Sequence, residues 1–165
     1  MKGIRVRCLL LATIVASFLL GPSARAFATE PRVLTFHNEG SVIAADCGAF
    51  LARSDFVVDY WITTFFDEAG NAVRIQAHIN FDGTLTNSAT GLALHDPSHY
   101  LFVWDLVGGS TRDIGLVYGI VVPGQGPAVL DAGKLVWDVD DNVTFVAGPH
   151  QFLDGGLPLI CRALG

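Results

Sequence analysis

The stretch FVVDYWITTFFDEAGNAVRIQAHINFD, Phe56 to Asp82, decides the fold. Two runs rich in β-branched and aromatic residues flank the turn cluster Asp67-Glu68-Ala69-Gly70-Asn71. That pattern predicts a long β-hairpin. In the second run Val73, Ile75, Ala77, Ile79 and Phe81 alternate with Arg74, Gln76, His78, Asn80 and Asp82, the period of a half-buried strand. In the first run Phe56, Val58, Tyr60, Ile62 and Phe66 make the apolar face, and Val57, Asp59, Trp61, Thr63 and Phe65 a mixed one.

Like faces match only if odd positions of one run lie opposite even positions of the other. A four-residue loop, Glu68 to Asn71, meets that condition. It sets Phe65 opposite Arg74, Thr63 opposite Gln76, Trp61 opposite His78 and Asp59 opposite Asn80. The mixed face then gathers Asp59, Trp61, Arg74, Gln76 and His78 into one strip. Such a strip is either a solvated sheet face with ordinary cross-strand pairs or the polar lining of a barrel mouth.

Outward from the hairpin, the first 26 residues read as a secretory leader. Lys2, Arg5 and Arg7 precede the apolar run from Cys8 to Leu20, and Ala24-Arg25-Ala26 is a small-x-small cleavage site. The run is short for a membrane span, which takes about 20 residues, so no stable anchor is expected after cleavage. Residues 27–165 form one domain of ordinary size. Loss of Lys2, Arg5, Arg7 and Arg25 with the leader takes the formal charge from −6 to −10. A chain that acidic lacks the basic footprint of nucleic-acid binding and of docking on anionic lipid.

Of the three cysteines, Cys8 lies in the leader. Cys47 and Cys161 remain, and in an oxidising compartment they are expected to pair. The bridge would bring the first and last elements of the domain together.

The rest of the chain alternates short apolar runs with turn signals. Val33 to Phe36 reads as a first strand, and Val42 to Ala52 as either strand or helical turn. Asp96-Pro97-Ser98 breaks a short return strand, Leu92 to His95. Tyr100 to Val107 and Arg112 to Val122 are strands, the second marked by Gly115 and Gly119. A last hairpin turns at Asp140-Asp141-Asn142, and one helical turn is expected near His150 to Leu153. No sustained 3.6-residue apolar period occurs outside the leader. The expected fold is all-β: an antiparallel β-barrel of about eight strands, with a β-sandwich as the alternative.

Candidate chemistry is thin. Asp138-Val139-Asp140-Asp141-Asn142 opens like a calcium loop, but Val143 stands where the loop needs Gly and Pro149 where it needs Glu. A hairpin turn uses the same residues. His95 and His99 flank Asp96 in what reads as a loop, a weak zinc signal. There is no G-x-S-x-G nucleophile motif, no metal site is assigned, and no cofactor is expected. His78 with Asp59 forms a dyad only if their faces meet. The three tryptophans, Trp61, Trp104 and Trp137, are core or the wall of a pocket for an apolar or sugar-like ligand.

The segments FDGTLTNSATG (Phe81–Gly91), VPGQGPAVLDAGKLVWD (Val122–Asp138) and FVAGPHQFLDG (Phe145–Gly155) resemble a group of secreted, uncharacterised bacterial proteins common in actinobacteria. The resemblance implies export and a compact β domain, and transfers no catalytic or binding residue. The expected function is a secreted β-barrel binding a small apolar or amphipathic molecule. Its alternatives are an extracellular structural or interaction domain without a small ligand, and an enzyme using the strip.

Overall fold

The computed structural model describes residues 30–165, so the expected leader and Cys8 lie outside the described residues. Seven strands follow one another: β1 Arg32–Asp46, β2 Leu51–Phe66, β3 Ala72–Asn87, β4 Ala93–Asp105, β5 Thr111–Val122, β6 Gly126–Trp137 and β7 Val143–Ala147. Two short helices end the chain, α1 Gln151–Gly155 and α2 Leu157–Leu164. Each strand pairs antiparallel with the next in a single sheet ordered β1 to β7.

The β2–β3 register is the one the alternation demands. Phe65 faces Arg74, Thr63 faces Gln76, Trp61 faces His78 and Asp59 faces Asn80. The turn is held by the Asn71 N–H donating to Asp67 Oδ1 at 2.8 Å and the Gly70 N–H to the Asp67 carbonyl at 3.0 Å. Gly70 supplies the positive φ of 84° that the tight reversal requires.

The expectation of a closed barrel of about eight strands is corrected on two points. Among the described residues there are seven strands, and β1 and β7 do not pair. Val33–Phe36 and the start of Val42–Ala52 are parts of one strand, since β1 continues through the polar His37–Ser41. At the other end β7 is only five residues long, and the chain then turns into α1 and α2. Helix α2 packs against β6, β1 and β2.

We name the face under α2 the inner face. Its core has two parts. Ala45, Ala52, Leu85, Leu94, Ile120 and Val129 pack with Ile160 and Leu164 of α2. Val58, Ile62, Ile75, Ala77 and Ile79 form the second part, flanked by half-buried aromatics. Ile160 and Leu164 stand four residues apart, so both reach one face of the helix, each contributing about 1.5–3 kcal/mol by burial. Pro158 sits in the first turn, where its missing N–H costs nothing.

Cys47 and Cys161 form a disulfide with Cα atoms 5.5 Å apart, across a sequence separation of 114. In the chain-entropy account a loop that long contributes roughly 4–5 kcal/mol. The bond fixes α2 to the turn between β1 and β2. The expected neighbourhood of the two ends is therefore met through a helix rather than a strand.

Strand β4 runs unbroken through Asp96-Pro97-Ser98, where the sequence reads as a break. It pairs with β5 only from His99 to Trp104. Pro97 therefore lies where β4 is laddered on one side only, and a residue without an N–H is tolerated there.

Candidate functional site

Strict alternation sends Asp59, Trp61, Arg74, Gln76 and His78 to the outer face of the sheet, opposite the core. The strip is contiguous along β2 and β3 but lines no lumen. Trp61 is 43% exposed. Arg74 lies over the Phe65 ring at 4.1 Å, and Gln76 is half-buried between Thr63 and Val103 in the ladder. Trp61 and His78, with Asn80, His99, Leu101 and Ile114, border a shallow depression of about 390 Å³ that opens to solvent.

The dyad of Asp59 with His78 does not form. Asp59 Oδ1 instead meets His37 Nδ1 of β1 at 2.7 Å. That hydrogen bond, and then the carboxylate charge, raises the His37 pKa above its ordinary 6.5. The reason is register: Asp59 faces His37 directly, whereas His78 faces Trp61.

The proposed His95, Asp96, His99 grouping also separates. Because β4 is a strand and not a loop, Asp96 is buried on the inner face while both histidines are exposed on the outer one. His95 Nε2 meets Asp82 Oδ1 at 2.7 Å. Among the described residues no group of three or more His, Cys, Asp or Glu is placed to hold a metal ion. At the suspected calcium loop, Asp138 Oδ1 accepts from the backbone N–H groups of Asp140 and Asn142, both at 2.9 Å. Those bonds and the Asn142 amide hold the Asp138 carboxyl below the usual carboxylate range. The cluster is a hairpin turn with Asp141 at a φ of 60°.

A second outer depression, about 550 Å³, lies between Glu39, Asp55 and Asp82 over Val57 and Thr84. Asp55 is held low chiefly by the Ser41 hydroxyl, with Arg53 beside it. The outer face is thus acidic at this depression, while around Trp61 it mixes polar rings and amides with apolar Leu101 and Ile114.

The inner face carries polar groups that sequence reading missed. His150 Nδ1 meets Asp131 Oδ1 at 2.5 Å, both side chains about 5% exposed or less. Its Nε2 faces the Ala147 carbonyl oxygen at 3.1 Å. Both ring nitrogens of His150 are thus occupied by oxygen partners within the fold. Asn87, also buried, donates to the Leu164 carbonyl at 3.0 Å and accepts from the Ala89 N–H at 2.8 Å. These groups fasten the C-terminal helices to the sheet. No sequence spacing could have linked Asp131 to His150, since their meeting depends on where α1 begins.

Among the described residues no helix is long and apolar enough to cross a membrane. No family model, curated protein or solved structure matches the chain.

Proposed function

We propose that the chain is an exported interaction domain that meets its partner through the outer sheet face around Trp61. The supporting observation is the position of the strip: an exposed tryptophan beside His78, Leu101 and Ile114 on an open, shallow surface. An aromatic ring ringed by planar polar groups offers stacking and hydrogen bonds to a flat or extended partner. The disulfide accords with an oxidising exterior. Catalysis through an Asp59–His78 dyad finds little support, because Asp59 bonds to His37 instead.

A second reading keeps the small amphipathic ligand and moves it to the inner face. Phe36, Tyr60, Tyr100, Phe102 and Trp104 are half-buried there, on a sheet whose edge strands do not join. One screen separates the two readings. Thermal unfolding is followed with fatty acids, phospholipid micelles, oligosaccharides and calcium. The outer-face reading expects no saturable rise with fatty acid or micelle, and expects any oligosaccharide-induced rise to vanish in Trp61→Ala. A saturable rise with fatty acid that survives Trp61→Ala would overturn it in favour of the inner face.

A further inference from the structure

Strand β1 is a free edge of unusual character. It is 15 residues long, and among the described residues nothing pairs with its outer side. From Val33 to Ile43 every residue but Phe36 is exposed, on both faces. Its exposed large apolar residues are Val33 at 61%, Leu34 at 42%, Val42 at 51% and Ile43 at 57%. A long, regular, partly apolar edge is a template for another strand. The opposite edge, β7, is blunted by having five residues only.

The residue order identifies the partner strand. Folding the sequence VLTFHNEGSVI back on itself about Asn38 sets Val33 against Ile43, Leu34 against Val42, Thr35 against Ser41, Phe36 against Gly40 and His37 against Glu39. Every pair is matched in kind: two apolar pairs, one hydroxyl pair, an aromatic over a glycine, and a basic group against an acid. The match holds on both faces at once. Leu34, Phe36, Asn38, Gly40 and Val42 lie on the inner face, opposite Ile62, Tyr60, Val58, Phe56 and Ser54 of β2. Val33, Thr35, His37, Glu39, Ser41 and Ile43 lie on the outer one. The register also ends where it should, since β1 is irregular between Ile43 and Ala45.

An antiparallel pair with two-fold symmetry places residue i opposite residue j and j opposite i. A self-complementary strand is what such symmetry demands. Aromatic cover of an edge glycine from the neighbouring strand is a recognised stabilising device. It occurs already within the chain, where the Phe56 ring approaches the Cβ direction of Gly40 to 3.3 Å.

We propose that β1 pairs with β1 of a second copy of this chain, antiparallel and centred on Asn38, to give a two-fold dimer with a continuous sheet. The pairing buries Val33, Leu34, Val42 and Ile43 of both copies and sets each His37 against the other copy's Glu39. It is independent of the outer-face reading, since Trp61 takes no part in the register.

Two measurements test it. Sedimentation velocity at about 1 to 100 μM, the range of modest affinities, should give twice the chain mass at the upper end. The double substitution Leu34→Lys with Val42→Lys should weaken association at least about tenfold, and Trp61→Ala should leave it unchanged. In mild oxidation Asn38→Cys should link to itself, with the parent chain as control. Ser41→Cys alone should not, because its opposite residue is Thr35, and a mixture of Thr35→Cys and Ser41→Cys chains should link. A monomer at every concentration overturns the proposal. So does a dimer that ignores the two lysines while position 38 fails to link. If the double-lysine chain fails to fold, the cysteine series alone decides.

Discussion

Asp59 reaches across the β1–β2 pair to His37, 2.7 Å away, and leaves His78 on the neighbouring strand beside Trp61. The bond favours protonated His37 and raises its pKa above 6.5. A group whose folded pKa is raised binds its proton more tightly when folded. Its contribution to stability is therefore complete below the unfolded value and fades as pH rises through the folded one. Both groups are solvent-exposed, so the effect on stability is small. An NMR titration of the ring protons should place the His37 midpoint above 6.5, and Asp59→Asn should move it down. A His37 midpoint unmoved by Asp59→Asn would show that the hydrogen bond does not govern it.

Gly133 lies beneath β7 so closely that a Cβ built on it would stand 2.0 Å from the Ala147 carbonyl oxygen. It faces Gly115 across β5–β6, and both have φ near the far side of the left-handed region, 124° and 126°. A side chain there meets strain of roughly 1–3 kcal/mol and overpacking of a similar size. Gly133→Ala should lower the urea midpoint by the equivalent of about 3 kcal/mol or more. Gly124→Ala, in the open β5–β6 turn with φ 77° and nothing within 4 Å, should cost less. Equal costs at the two sites would mean that backbone conformation alone, and not the approach of β7, sets the penalty.

Three of the hairpin turns share one device. Asp67, Asp105 and Asp138 each accept backbone N–H groups of their own turn and have lowered pKa values. A carboxyl with a lowered folded pKa contributes stability above its unfolded value, near 3.8, and that contribution is lost as pH falls through the folded value. Asp138→Asn keeps the turn geometry but removes the titrating charge. It should flatten the acid limb of the stability curve below about pH 4 and leave calcium without effect on the unfolding temperature. A calcium-dependent rise in the parent that Asp138→Asn abolishes would contradict the assignment of this cluster as a turn.

The hairpin register was legible because two constraints agreed: apolar alternation on both strands and a loop length that joins odd to even. The positions of most strands were legible, since each turn signal between them is a separate local feature, but their order in the sheet was not. What hid β1 was its composition. A strand exposed on both faces needs no apolar alternation, so His37–Ser41 reads as a turn although it is ladder. What hid β4 was Pro97, a breaker whose position is allowed only because β5 pairs from His99 onward. The strip of Asp59, Trp61, Arg74, Gln76 and His78 was read correctly as one face. Which side of the sheet that face would meet was not readable, because it depends on α2, an eight-residue helix too short to show a sustained period.

The Asp131–His150 pair is the least legible feature and yields the sharpest test of how the helices are held. Both groups are buried, and the histidine is gripped on its other nitrogen by the Ala147 carbonyl. Removing one partner leaves the other buried and unsatisfied, a loss of roughly 3–5 kcal/mol. His150→Ala and Asp131→Ala should each lower stability by about that amount and speed amide exchange in α1 and α2. Replacing both at once, Asp131→Leu with His150→Phe, removes the pair without stranding a polar group. The double variant should therefore be more stable than either single one. If the two single losses instead add in the double variant, the pair acts as two independent packing residues rather than as one clasp.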